Sequence, residues 1–436
     1  MKQFKGIFAS IIVSMAILFL ASEAIADDAA KARKAAQQAN QYASQGEYKK
    51  ALSPAFTFLK ITKKNLGEDH IITSYGYQRL ATLYLNLGEF DQAKNYLYLT
   101  KKHQSKHWGQ KSLQLAPVYQ LYGDFYALQN MPDKAIDHYK IAAYRYSKLG
   151  HKDGKIAQVT CLYYIAGVAL AQSDFDDAYN YIQQAIKIIK AHIGSNSLEF
   201  AELTNMKAQV ELVRENVNGA LSSIKESIQI LQKRNKTAEK LKLAEYYMGL
   251  ASIHLVKGDT ELAIEALKNI KDLTEDDAPA SKRLRIKSLA TLAVSYRQSD
   301  LARSGVMCLE EASALFKTLP PRQEEAFYEG FLQEMISACY VDLEDAEKAQ
   351  YYLNSALEIY RDQLGPTNIG TIRTENALAL ILQKRNKHKE AIEIVERICH
   401  TLYEMPYDEN FTYEHSYMLK ASLYNHAISL ENLQSH

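Results

Sequence analysis

Apolar positions along this chain recur with a helical rather than an alternating rhythm, and the rhythm restarts every 42 to 44 residues. In one restart Leu80, Ala81, Leu83 and Tyr84 form a helical stripe, Gly88 interrupts it, and Phe90, Ala93 and Leu97 open the next. Small residues mark matching points twelve positions apart: Ala39/Ala51, Ala81/Ala93, Gly123/Ala135, Ala166/Ala178, Ala208/Ala220, Ala251/Ala263, Ala293/Gly305, Ser337/Ala349 and Ala379/Ala391. Two antiparallel helices approach closely only where the facing side chains are small and larger neighbours fill the gaps beside them. The spacing predicts nine helical hairpins, each able to bury its apolar face only against the next.

The punctuation agrees with this reading. Gly46-Glu47-Tyr48 and Gly88-Glu89-Phe90 spell one turn, and Asp174-Phe175-Asp176-Asp177-Ala178 keeps it with Ser173 in the glycine's place. Leu66-Gly67, Trp108-Gly109, Leu149-Gly150, Ile193-Gly194 and Leu364-Gly365 fall where second helices should end. Lys207 and Glu211 depart from the pattern at apolar positions of the fifth hairpin, and Gly305 weakens a helix of the seventh. A final stretch is predicted to cap the array, with Tyr417, Leu419, Ala421, Leu423, Tyr424 and Ile428 on its apolar side. Glu414, Lys420, Asn425 and Glu431 should face water.

This grammar resembles the tetratricopeptide repeat over about residues 29 to 434. The period exceeds the family's usual 34 residues, and Leu66-Gly67-Glu68-Asp69-His70 resembles the inter-repeat loop of its kinesin-light-chain-like variety. The resemblance implies an all-α, right-handed superhelical solenoid of antiparallel helix pairs: about nine hairpins over residues 27–411 and a capping helix over 412–436. It also implies that the first helix of each hairpin lines a concave groove. Carried over by phase from the small residues, the groove positions are Tyr75, Gln78, Thr82 and Leu85, then Gln120 and Asp124, then Tyr163 and Leu170. Glu202, Asn205, Gln209 and Leu212 follow, and then Glu245, Met248 and Leu255. Amides, carboxylates, aromatics and aliphatics in one strip suit an extended peptide or an amphipathic helix. Paired lysines and an asparagine, with which some family members clamp a terminal carboxylate, are missing from the strip.

Residues 1–26 are written differently. Lys2 and Lys5 precede an apolar run from Gly6 to Leu20, and Ala24-Ile25-Ala26 stands before Asp27, the pattern of a secretory signal peptide cleaved after Ala26. No later stretch reads as apolar enough to span a membrane, so the mature chain is expected in the periplasm or, alternatively, outside the cell. The segment holds two of the 52 basic and one of the 51 acidic residues, which leaves the remainder electrically balanced. Nucleic-acid binding rests on a basic excess or stripe and is not expected.

Candidate chemistry is sparse. Cys161, Cys308, Cys339 and Cys399 fall in four different hairpins at apolar phases and read as buried free thiols, with Cys308 and Cys339 the one pair to test for a disulfide. His103 and His107 share a helix face, but the metal site they suggest lacks a third ligand nearby, so both read as solvent-facing. Among 30 tyrosines, Tyr42, Tyr84, Tyr126, Tyr296, Tyr340 and Tyr424 sit at packing positions, whereas Tyr75 and Tyr163 do not. No phosphate loop, nucleophile elbow or zinc-protease motif occurs. The expectation is a non-catalytic envelope scaffold that binds a protein or peptide and needs no cofactor or metal. The alternatives are a sensor for a short peptide or small molecule and a scaffold for glycan export.

Overall fold

Beyond α1 (Glu23–Ser44), which buries the single stripe Ala32, Ala35, Ala36 and Ala39, second helices carry a stripe and first helices are buried more widely, and that difference sets the architecture. Helix α8 (Phe175–His192) buries Ala178, Ile182, Ala185, Ile186 and Ile189, a single face at helical spacing. Its start is capped by the Asp174 carboxylate, which accepts the Asp177 N–H at 3.1 Å, an interaction worth about 1 kcal/mol. Helix α7 (Lys152–Ala171) is instead buried on most of its circumference, through Val159, Cys161, Leu162, Tyr164, Ile165, Ala166 and Ala169. A helix apolar nearly all round must be covered on more than one side. Against expectation, α7 is long and apolar enough to cross a membrane by length and composition alone. That apolar surface packs against α6 (Pro132–Ser147) and α8.

The computed structural model describes residues 23–320 and 327–404, together with Met418, Lys420 and Ser422. Eighteen α-helices occupy the described residues, without a strand. The remaining helices before the midpoint are α2 (Tyr48–Leu66), α3 (Ile71–Leu87), α4 (Phe90–Trp108), α5 (Ala116–Leu128), α9 (Leu198–Val213) and α10 (Val217–Arg234). After it come α11 (Lys240–Lys257), α12 (Thr260–Leu273), α13 (Pro279–Gln298), α14 (Ala302–Lys317), α15 (Tyr328–Asp342), α16 (Ala346–Gln363), α17 (Ile369–Lys384) and α18 (His388–Glu404). The chain forms two compact units, Met1–Ser223 and Ile224–His436. Consecutive helices pack on one another from α1 to α9 in the first unit and from α11 to α18 in the second. First helices also touch one another: α3 meets α5 and α7 meets α9, and in the second unit α11 meets α13 and α13 meets α15. The odd-numbered helices therefore share one side of each unit.

All nine small-residue pairs are buried. A Cβ on Gly123 would lie 2.5 Å from the Tyr139 ring, so the ring of α6 occupies the space that glycine leaves on α5. Gly305, read above as a weak point, is a close approach: a Cβ there would meet Cys339 Sγ at 3.1 Å and the Ala293 carbonyl at 3.2 Å. Ser337 replaces alanine and donates its hydroxyl to the Ala349 carbonyl across the hairpin at 2.8 Å. The polar departure in the fifth hairpin is internally satisfied. Glu211 is buried, with Lys207 Nζ at 3.3 Å and the Ser223 hydroxyl donating to it at 2.7 Å.

The turn inside the hairpins recurs more faithfully than its residues do. Gly46, Gly88, Asn130, Ser173, Glu215, Gly258, Asp300, Glu344 and Asn386 all have φ between 56° and 86°. The residue after each donates its N–H to the carbonyl five positions back at 2.8 to 3.0 Å, as in Glu47 to Tyr42 and Lys387 to Leu382. This is the left-handed stop that satisfies helix-end carbonyls, built here on glycine at only three of nine sites. Between hairpins, Gly67 and Gly365 both have positive φ, and each offers its carbonyl to the hydroxyl of a threonine six residues on, Thr73 or Thr371, at 2.8 Å. At the far end, Met418 packs with Ile372, Ile398 and Leu402, the Ser422 hydroxyl bonds Asn376 at 3.3 Å, and Lys420 is exposed. Tyr424 and the other expected capping residues lie outside the described residues, as do residues 1–22.

Candidate functional site

Helix α3 offers the most developed part of the first-helix side. Tyr75, Gln78 and Thr82 follow one another at helical spacing and are all half-buried. Gln78 accepts a hydrogen bond from the buried Gln104 amide of α4 at 3.0 Å, and the Thr82 hydroxyl donates to the Gln78 carbonyl at 3.1 Å. The Tyr75 ring leans on Trp108, with centroids 6.4 Å apart and planes at 56°. Burial holds the Tyr75 hydroxyl above its ordinary pKa. His107 is exposed and meets Trp108 edge-on at 5.7 Å. Leu85, placed in the groove by phase, is only 2% exposed and belongs to the core formed with Leu80, Ala93 and Leu97.

The third and fourth hairpins place their candidates at different depths. Asp124 is buried, not groove-facing, because Tyr139 of the same hairpin reaches it and donates its hydroxyl at 2.8 Å. Gln120 is half-buried and accepts from the Tyr146 hydroxyl at 3.2 Å and, more weakly, from the Cys161 thiol at 3.9 Å. Desolvation, reinforced by the charge of Asp124, raises the pKa values of Tyr139, Tyr164 and Cys161. These groups stay neutral, and Tyr139 and Cys161 act as donors. Tyr163 and Leu170 of α7 are half-buried, and Tyr163 meets Tyr164 edge-on at 6.0 Å. On α9, Glu202 is buried, which removes it from the open strip, while Asn205 is half-buried and Gln209 is exposed. Glu245 is exposed and Met248 half-buried in the second unit, where Met248 packs on the core of α11 and α12.

One residue absent from the expected strip stands beside it. Arg79 lies one turn after Tyr75 on α3 and crosses to α1, where it donates to the Ala36 carbonyl at 2.6 Å. Its guanidinium lies 5.6 Å from the centre of the Phe58 ring. The i, i+4 spacing from Tyr75 was the available signal. His103 also differs from expectation: it is buried, stacks on Tyr77 and holds Asp69 of the preceding loop at 2.8 Å. Lys106 and His103 together hold the Asp69 carboxyl below its usual range. All four cysteines are free thiols, Cys161 and Cys339 buried and Cys308 and Cys399 half-buried. Among the described residues no group of three His, Cys, Asp or Glu side chains could hold a metal ion.

Residues 75–99 and 332–399, one stretch in each unit, match family models for the tetratricopeptide repeat. The fold is shared with RapI in its apo form, at a TM-score of 0.57 and 12% identity over 92% of this chain and 97% of that one. A Signal Transduction ATPase with Numerous Domains from Pyrococcus horikoshii, which carries a tetratricopeptide repeat sensor, superposes at 0.54 with 14% identity over 88% of this chain and 54% of that one. The apo form of the quorum sensor NprR from B. thuringiensis gives 0.51 and 15% over 87% of this chain and all of the other. At such identities the likeness is one of fold. No curated protein matches the chain in sequence.

Proposed function

We propose that this chain is a non-catalytic interaction scaffold of the cell envelope whose first-helix side, in the unit ending at Ser223, holds an extended peptide or a helix of a partner protein. The observation that carries this reading is the α3 strip. Tyr75 and Thr82 are half-buried without being core, and Gln78 uses its carbonyl on Gln104 and keeps its NH2 group for a peptide carbonyl. Asn205, Gln209 and Tyr163 extend the same chemistry along α9 and α7. The 42-residue spacing and the repeated Gly67 and Gly365 loops support the kinesin-light-chain-like variety of the repeat.

The envelope assignment rests on residues 1–26 as a cleaved signal, which would leave a mature chain starting at Asp27 in the periplasm. The test is affinity capture with cross-linking from an envelope extract, comparing mature protein with the combined Tyr75→Ala, Gln78→Ala and Tyr163→Ala variant. A partner lost with the variant at unchanged helicity is the expected result, and the intact mass of the purified protein should begin at Asp27. Equal capture by both proteins refutes the face assignment.

A second reading is a ligand-responsive sensor. The fold likeness to two proteins described as sensors, over more than four-fifths of this chain, favours it. A ligand-dependent change in small-angle scattering separates it from a passive scaffold.

A further inference from the structure

Arginines in this protein are generally matched. Arg234 forms two bonds to Glu239, Arg297 holds Asp342, Arg361 and Arg397 share Glu375, and Arg373 faces Glu334. Arg79 and Arg145 differ: each bonds only backbone carbonyls and lies over a ring, Arg145 on the Ser112 and Gln110 carbonyls and Tyr119, and of the two Arg79 stands on the first-helix side. Its one hydrogen bond goes to the Ala36 carbonyl, an interior helix position whose oxygen already serves α1, and its other neighbour is the face of a fully buried phenylalanine. Desolvation lowers its pKa to about 10, with no neighbouring carboxylate opposing the effect. A guanidinium carries five N–H donors in a fork shaped for carboxylates, so most of this one's capacity is unused in a half-buried position.

Resting on the reading of α3 as the binding face, we propose that Arg79 is the anion-recognising residue of that face and that the ligand carries a carboxylate next to an aromatic or large apolar group. The chemistry follows from placement. Tyr75 is one helical turn from Arg79, Trp108 supports the Tyr75 ring, and Gln78 lies between them on the same face. A carboxylate on the fork would put the adjacent side chain on the helix face that also carries Tyr75. Bidentate geometry gives direction as well as attraction. A ligand carboxylate would also supply the counter-charge that the folded protein lacks at this point, so binding is coupled to relief of a desolvated cation.

The test uses the mature chain and three dipeptides: N-acetyl-Ala-Phe with a free carboxylate, N-acetyl-Glu-Phe-amide and neutral N-acetyl-Ala-Phe-amide. Fluorescence of Trp108, the only tryptophan, is the readout. At least one acidic probe should bind about tenfold more tightly than the neutral one, corresponding to about 1.4 kcal/mol. Which acid wins distinguishes a chain terminus from an acidic side chain. Arg79→Met should erase the preference without lowering the thermal midpoint, since it removes an uncompensated charge. Arg79→Lys should retain part of the preference. Equal response to all three probes, no saturable response to any, or a preference that survives Arg79→Met overturns the proposal. The groove reading itself stands or falls separately, on capture by the variant that keeps Arg79.

Discussion

The two units use one repeat and hold it together differently. In the unit ending at Ser223 the spaces beside the small residues are filled by rings. Tyr84 and Tyr96 stack at 5.6 Å with planes 3° apart, Tyr77 lies on Tyr96 at 6.3 Å, and Tyr139 sits against Tyr164 at 5.4 Å. In the unit beginning at Ile224 one such stack recurs, Tyr340 on Tyr352 at 5.5 Å, but guanidinium–carboxylate pairs are more frequent, among them Arg234 with Glu239 and the two arginines on the buried Glu375. Small residues thus decide where helices touch, and what surrounds the contact is free to vary. Rings tolerate salt, whereas ion pairs with exposed partners are screened by it.

The largest effect should come from the aromatic side of this contrast. Tyr139→Ala is expected to destabilise the first unit by about 3–5 kcal/mol in urea unfolding, by opening a cavity and removing the donor to Asp124. Tyr139→Phe keeps the volume and should cost about 1–3 kcal/mol, because the buried carboxylate loses the Tyr139 hydroxyl as a donor. An unchanged midpoint for the phenylalanine variant would break the reading of that pair.

The ion-paired side should respond to pH. Arg234 bonds to Glu239 and lowers its pKa, so the pair's stabilisation is present above the ordinary carboxylate range and is lost as pH falls through the depressed folded value. Arg234→Gln should therefore be less stable than wild type at pH 7, by about 1–2 kcal/mol, and the two should converge in acid. A constant gap across pH would mean that the arginine acts through packing.

The smallest expected change tests what the units share. Glu215 and Glu344 occupy the left-handed turn position at φ of 61° and 59°, one in each unit. Glycine at either site should add about 0.5–1 kcal/mol, less than the full cost of a left-handed residue because glycine loses more freedom on folding. Equal gains would show that the turn is indifferent to how the core beside it is built. Unequal gains would mean that the packing strains the turn in one unit only.

Much of this architecture was legible from spacing. The small pairs, the helix ends at Gly67 and Gly365 and the turn at Gly46, Gly88 and Ser173 are all where periodicity places them. Depth was less legible. Phase alone assigns Leu85, Asp124 and Glu202 to an open face, but depth depends on what the neighbouring helices contribute, and at Asp124 that is the long side chain of Tyr139. His103 went inward for a similar reason, since Asp69 in the preceding loop supplies a partner that helical spacing cannot show. Arg79 is not legible in the repeat pattern, which points to positions on either side of it. Its environment is made by α1 and α2, some 20 to 45 residues earlier in the chain.

Gly123 and Tyr139 carry a further consequence, which concerns the order of change rather than its size. The ring fills the volume that a side chain at 123 would need. Alanine, acceptable at this position in most other hairpins, can enter here only after Tyr139 has been replaced by something smaller, and that first step opens a cavity and removes the hydroxyl that donates to Asp124. Either order passes through a damaged intermediate. The third hairpin is therefore a place where single substitutions from sister repeats fail although the paired exchange is permitted, and a consensus design applied one position at a time would stall there.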